Sequence, residues 1–147
     1  MNNYPQSIAE LDLDAVIITP EILAAVKRFA ASKPYRGSTE ERIEKFRTAI
    51  NDICRAAGVE PPTVNFSIDE TQGSGGSFYC PATKQIFLNG TMSIITLLHE
   101  LRHHLPHGES EHVACAWSLR LFRDCFPGSW GRLSFNGHMA VKPGRDK

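Results

Sequence analysis

The chain has no excess of charge of either sign. Its 16 Lys and Arg are matched by 16 Asp and Glu, so no global field draws it onto a phosphate backbone. Nucleic acid is therefore disfavoured as a partner. Long apolar runs are also missing. The longest, Ala15–Ile18 and Met92–Leu98, fall far short of the ~20 residues that a membrane span requires, so no membrane association is expected. The opening residues, Met-Asn-Asn-Tyr-Pro-Gln-Ser, contain neither a basic segment nor an apolar stretch of the signal-peptide kind, and a cytoplasmic location is expected. Cys54, Cys80, Cys115 and Cys125 form no CxxC pair, which argues against a four-cysteine zinc knuckle and leaves them as reduced core thiols. There is no internal repeat and no low-complexity block. A chain of 147 residues with 41 % apolar content can build a core without disulfides. The expectation is one domain over 1–127, followed by a Gly/Pro-rich tail over 128–147.

Thr19-Pro20-Glu21 has the form of a helix start, with Thr as N-cap and Pro in the first turn. Ile22, Leu23, Val26 and Phe29 continue it at helical spacing to about Ser32. Ser38 and Glu41 form a capping box for a second helix, with Ile43, Phe46, Ile50 and Ile53 on one stripe and Gly58 as its stop. Both read as scaffold. Thr63–Ile68 alternates at period two and predicts a strand. Gln72–Gly76 is Gly-rich but lacks the Lys-Ser/Thr pair of a phosphate loop and leads into a strand, so it reads as a flexible turn. Ser77–Cys80 and Gln85–Leu88 form a hairpin across Pro81–Lys84, and Asn89-Gly90 predicts a further turn. Helical spacing runs from Thr91 to Leu105, where Pro106 stops it. A last helix, capped by Ser110 or Gly108, carries Val113, Ala114, Trp117, Leu121 and Phe122.

The informative segment is His99-Glu100-Leu101-Arg102-His103, an HExxH pattern inside a predicted helix. Composition alone gives about 0.02 chance matches in a chain of this length. On a helix, the first and last of these residues lie about 40° apart and one turn along the axis, so both imidazoles reach one ion. Glu100 stands about 100° round from His99, beside such an ion instead of on it. Two neutral nitrogens can hold Zn2+ and acidify a water, while the adjacent carboxylate takes the proton and passes it to a leaving amine. A third protein ligand is needed. His107, Glu109, Glu111 and His112 follow within reach, whereas His104 lies about 140° round the helix from His99 and faces elsewhere. The HExxHxxGxxH form fails, because Pro106 and Glu109 occupy its Gly and last His positions. Tyr79 and His138 are possible donors to an oxyanion, although strand packing and a solvated tail account for them as simply. Met139 after His138 has the look of a Met-turn but reads as packing.

Leu97–Leu105, followed by Glu111-His-Val-Ala114 and Trp117, resembles the zincin metallopeptidases, most closely the ImmA/IrrE type with its HExxH and later Glu-x-x-Ala. The resemblance covers about a third of the chain. It implies a zincin-like α+β fold with two N-terminal helices, a small three-stranded sheet, an active-site helix and a following ligand helix. It also implies His99, His103 and Glu111 as zinc ligands, Glu100 as general base, and a protein or peptide substrate. Cys115 stands where the family commonly has Asn. The SprT-like proteins are the second resemblance, with His112 before Trp117 as the ligand. Two other functions are open at this stage: a non-enzymatic interaction module whose zinc is structural, and a DNA-associated protein.

Overall fold

The structure is a computed structural model that describes residues 11–72, 76–136 and 139–141. Helix α1 spans Pro20–Ala31 and helix α2 spans Thr39–Ala57. Their starts follow the sequence signals. The Thr19 side chain accepts the Ile22 N–H, and Ser38 and Glu41 close a reciprocal capping box. Such a cap contributes about 1 kcal/mol. Gly58 ends α2 in the left-handed conformation at φ 74°, where a side chain would be strained. The two helices pack on each other through Val26, Phe29, Phe46 and Ile50, with the Phe29 and Phe46 rings edge to face.

Three strands follow: β1 (Thr63–Ile68), β2 (Phe78–Cys80) and β3 (Gln85–Gly90). The sheet order is β1-β3-β2, so β2 is an edge strand. β2 pairs antiparallel to β3 as the expected hairpin, while β1 pairs parallel to β3 in the register Thr63↔Gln85 to Ile68↔Gly90. This register corrects one boundary. Asn89-Gly90 is not a turn but the end of β3, because Ser67 and Ile68 continue the ladder beside it. Helix α3 (Ile94–His104) accordingly starts later than Thr91, at a cap where Ser93 Oγ accepts the Thr96 N–H at 3.1 Å. Helix α4 spans Glu111–Cys125 and packs along α3.

Further elements lie on either side of this core among the described residues. Leu11 and Leu13 are buried, and a short 3-10 turn over Leu13–Ala15 is held by Arg120, whose guanidinium donates to the Leu13 and Val16 carbonyls. The expected Gly/Pro-rich tail contains a one-turn helix, α5 (Pro127–Trp130), and a two-stranded ribbon, β4 (Ser134–Asn136) with β5 (Met139–Val141). Residues 1–10, the centre of the Gly-rich turn (73–75) and His138 lie outside the described residues, as does the side chain of Met139. Among the described residues no helix is long and apolar enough to cross a membrane. All four cysteines are free thiols; Cys54 and Cys115 are buried, whereas Cys80 and Cys125 are partly exposed. The chain is a mixed α+β structure whose small sheet and core hold α3 in place.

Leu98 and Leu101 are wholly buried and flank the histidine face of α3. Leu101→Ala should therefore cost about 2–5 kcal/mol of stability. Urea unfolding of the metal-free protein reads this as a lower midpoint at unchanged slope, and a change within experimental error would show that α3 is not anchored through this side chain.

Candidate metal centre

Helix α3 carries His99 and His103 toward α4, while Leu97, Leu98 and Leu101 take the positions facing the core. His99 and His103 come to lie one above the other, with ring centroids 5.0 Å apart and Nε2 atoms 3.3 Å apart. Their side chains are 3 % and 11 % exposed. The chain leaves α3 at Leu105, and Pro106 prevents continuation. It then turns through His107, whose φ of 61° is left-handed, and enters α4 at Ser110, whose Oγ accepts the Val113 N–H at 3.2 Å. Glu111 is thereby the first residue of α4, where the helix dipole favours a carboxylate. Its Oε1 lies 2.9 Å from His99 Nε2 and 3.2 Å from His103 Nε2. Hydrogen bonding from His99 and the neighbouring imidazoles pull the Glu111 carboxyl down to about 2 despite partial burial.

The orientation of His103 is set from behind. Its Nδ1 lies 2.6 Å from the Gly108 carbonyl, which can only accept, so Nδ1 carries the ring proton and Nε2 of the neutral ring presents a lone pair to the cluster. Gly108 is buried and has no room for a side chain. A Cβ there would overlap the Arg102 carbonyl oxygen and stand 2.8 Å from the Leu105 carbonyl oxygen. His99 Nδ1 has Cys115 Sγ 3.7 Å away. Neither contact is apparent from spacing: Gly108 reads in the sequence as a possible cap, and Cys115 as a core thiol. One signal was available for each, a glycine set between two candidate ligands and a polarisable side chain one turn beyond Glu111.

Glu100 does not join the three ligand atoms. Burial, and next the nearby Glu111 carboxylate, push its carboxyl up to about 8, while a hydrogen bond from the Tyr79 backbone N–H pulls in the opposite direction. Its carboxyl thus holds its proton to a higher pH than an ordinary glutamate does.

The remaining candidates fall elsewhere. His107, Glu109 and His112 are exposed and outside the cluster. His104 points to the sheet as its helical angle predicts. Its Nε2–H donates to the Glu60 carbonyl at 2.7 Å, and its Nδ1 accepts the Tyr79 hydroxyl at 2.9 Å. That bond commits the Tyr79 hydroxyl to His104, so strand packing, not oxyanion donation, accounts for Tyr79. Trp117 is a core residue, with the Arg102 guanidinium 6.0 Å above its ring.

A tetrahedron with ligand arms of about 2.0–2.1 Å has edges of about 3.3–3.4 Å. The Nε2–Nε2 distance of 3.3 Å matches that edge, and the two nitrogen–oxygen distances lie slightly inside it. Two imidazoles and a carboxylate are also the donor types of a zinc site with a position left over for solvent or substrate. Among the described residues, the group of potential metal ligands consists of His99, His103 and Glu111. Comparison with protein-family models, with curated proteins and with solved structures finds no match to this chain.

Two outcomes are expected. Gly108→Ala should weaken zinc binding about 10–100-fold, measured by competition with a chromophoric chelator, because the added methyl drives the loop carbonyl from His103. The second concerns Glu100. Its carboxyl binds a proton more tightly in the folded chain than in the unfolded one, so its contribution to stability is full at low pH and is lost as pH rises through about 8. In a chelator, the stability advantage of Glu100→Gln over the wild type should widen between about pH 5 and about pH 8 and then level off. A constant difference in melting temperature across that range would contradict the burial argument.

Proposed function

We propose that this chain is a zinc-dependent peptide hydrolase with a zincin-like active site. The observation that carries the reading is the meeting of His99 Nε2, His103 Nε2 and Glu111 Oε1 at near-tetrahedral edge lengths, with Glu100 beside them and outside the ligand set. His99, His103 and Glu111 would hold the cation. When bound, the cation supplies Lewis acidity, polarising a carbonyl and acidifying water. Glu100 contributes the proton chemistry: it takes a proton from the attacking water and returns it to the departing amine. Its environment, which disfavours the charged form, strengthens it as a base.

The edge strand supports a peptide as substrate. β2 pairs with β3 on one side only, and its Tyr79 N–H is turned toward Glu100. The outer edge of β2 therefore runs past the carboxylate, and an extended chain adding to that edge by main-chain hydrogen bonds would pass the cluster. The alternative, a structural zinc in a non-enzymatic module, calls for a fourth protein ligand. The three-member group among the described residues favours the open, catalytic form.

The test separates metal from chemistry. Wild type purified without a histidine tag should contain one zinc per chain, and His103→Ala should lose it. Glu100→Gln should keep the zinc while hydrolysis of a peptide library falls at least about 10²-fold. Undiminished hydrolysis in that variant would remove Glu100 from the reaction, and four protein ligands by X-ray absorption would favour the structural role.

A further inference from the structure

His99 is contacted at both ring nitrogens. Nε2 lies 2.9 Å from Glu111 Oε1 and Nδ1 lies 3.7 Å from Cys115 Sγ. Cys115 sits one helical turn beyond Glu111 on α4 and is buried at 3 % exposure. A neutral imidazole carries one ring proton, and two arrangements satisfy these contacts. With the proton on Nε2, the ring donates to Glu111 and accepts the Cys115 S–H at Nδ1. With the proton on Nδ1, the ring donates to the sulfur and Nε2 offers its lone pair to the cluster. Only the second arrangement can bind a cation. The Gly108 carbonyl behind His103 permits one tautomer alone, since a carbonyl cannot donate. A thiol is both a weak donor and a weak acceptor, so Cys115 can serve both tautomers of His99.

We propose that Cys115 is the positioning residue of His99: the sulfur accepts Nδ1–H when the site holds a divalent cation and donates S–H to Nδ1 when His99 is bonded to Glu111. The ring is then held in place in both states, and His99, not His103, is the ligand whose proton changes nitrogen on metal uptake. The inference rests on the metal-centre reading and adds a determinant of its affinity. Because sulfur is a weak acceptor, the loaded state gains less from Cys115 than His103 gains from a backbone carbonyl.

Two measurements test this on Cys115→Val, which fills the space without a polar atom, and on Cys115→Ser, which keeps a donor and an acceptor. Zinc affinity is read by competition with a chromophoric chelator, and the His99 tautomer by imidazole 15N shifts of the metal-free protein. Cys115→Val should weaken zinc about tenfold, and Cys115→Ser should stay within about threefold of wild type. The metal-free wild type should show His99 in the Nε2–H form with its Nδ1 resonance moved upfield by the Cys115 S–H, and Cys115→Val should move that resonance downfield. Equal zinc affinity in wild type and Cys115→Val, with equal His99 shifts, overturns the proposal. If the wild type takes up no zinc, the metal-centre reading falls, and the metal-free shifts alone decide the role of Cys115: no change in Cys115→Val sinks it. Should the valine variant not fold, the same shifts compared between wild type, Cys115→Ser and Cys115→Ala decide it, and identical values in all three overturn it.

Discussion

Three electron-rich atoms lie within hydrogen-bonding distance of one another where α3 meets α4, and the surrounding fold has to hold them there. His99 Nε2, His103 Nε2 and Glu111 Oε1 share one small volume at separations of 2.9–3.3 Å. Bare lone pairs at such distances repel unless protons or a cation stand between them. The force that holds the helices together must therefore come from elsewhere. It comes from the apolar side of both: Leu97, Leu98 and Leu101 on α3, and Trp117, Leu121 and Phe122 on α4, are all buried. At roughly 1.5–3 kcal/mol for each large apolar side chain, this burial outweighs a strained polar contact of one or two hydrogen bonds. Ala114 and Cys115, both small and buried, let α4 approach closely where the site lies.

The same packing explains why Glu100 differs from Glu111 although both are acids in one site. Glu111 begins a helix, is part-exposed, and has two imidazoles for neighbours, which together favour the charged form against the opposing effect of partial burial. Glu100 lies inside α3, is largely shielded, and has another carboxylate nearby. Environments that push two carboxyls in opposite directions assign them different work. The low one suits a ligand, and the high one suits a proton carrier. The edge strand β2 joins this division through Tyr79, whose N–H reaches Glu100 while its hydroxyl is fixed on His104. One residue of the sheet thus registers β2 against the end of α3, through Glu100 and through His104, which follows His103 in the helix.

Much of this was legible in the sequence where a local rule acts alone. Caps at Thr19, Ser38 and Ser110 depend on one side chain and one N–H, and the starts of α1, α2 and α4 follow from them directly, whereas the Ser93 cap of α3 was missed because helical spacing extends back to Thr91. The pairing of His99 with His103 depends only on helical pitch. The parallel partner of β3 was not legible, because β1 lies some twenty residues away and nothing local records a parallel register. That long-range pairing is what carried β3 through Asn89-Gly90, a dipeptide that by itself favours a turn. Glu111 was distinguishable from Glu109 and His112 only through resemblance, since all three lie within four residues and the geometry of the intervening loop decides among them.

That loop also explains how ligands only eight positions apart meet at one point. Between His103 and Glu111 the chain has to leave one helix, reverse direction and start another. Pro106 stops α3, His107 takes up a left-handed conformation, and Gly108 passes so close to the last turn of α3 that no Cβ fits. The close pass does two things at once. It shortens the path so that Ser110 can cap α4 with Glu111 facing the histidines, and it puts the Gly108 carbonyl 2.6 Å from His103 Nδ1. A longer loop would be easier to build, but it would separate these two effects. Here the connector that delivers the carboxylate is also the group that fixes the imidazole, so the third donor and the orientation of the second arise from one backbone turn.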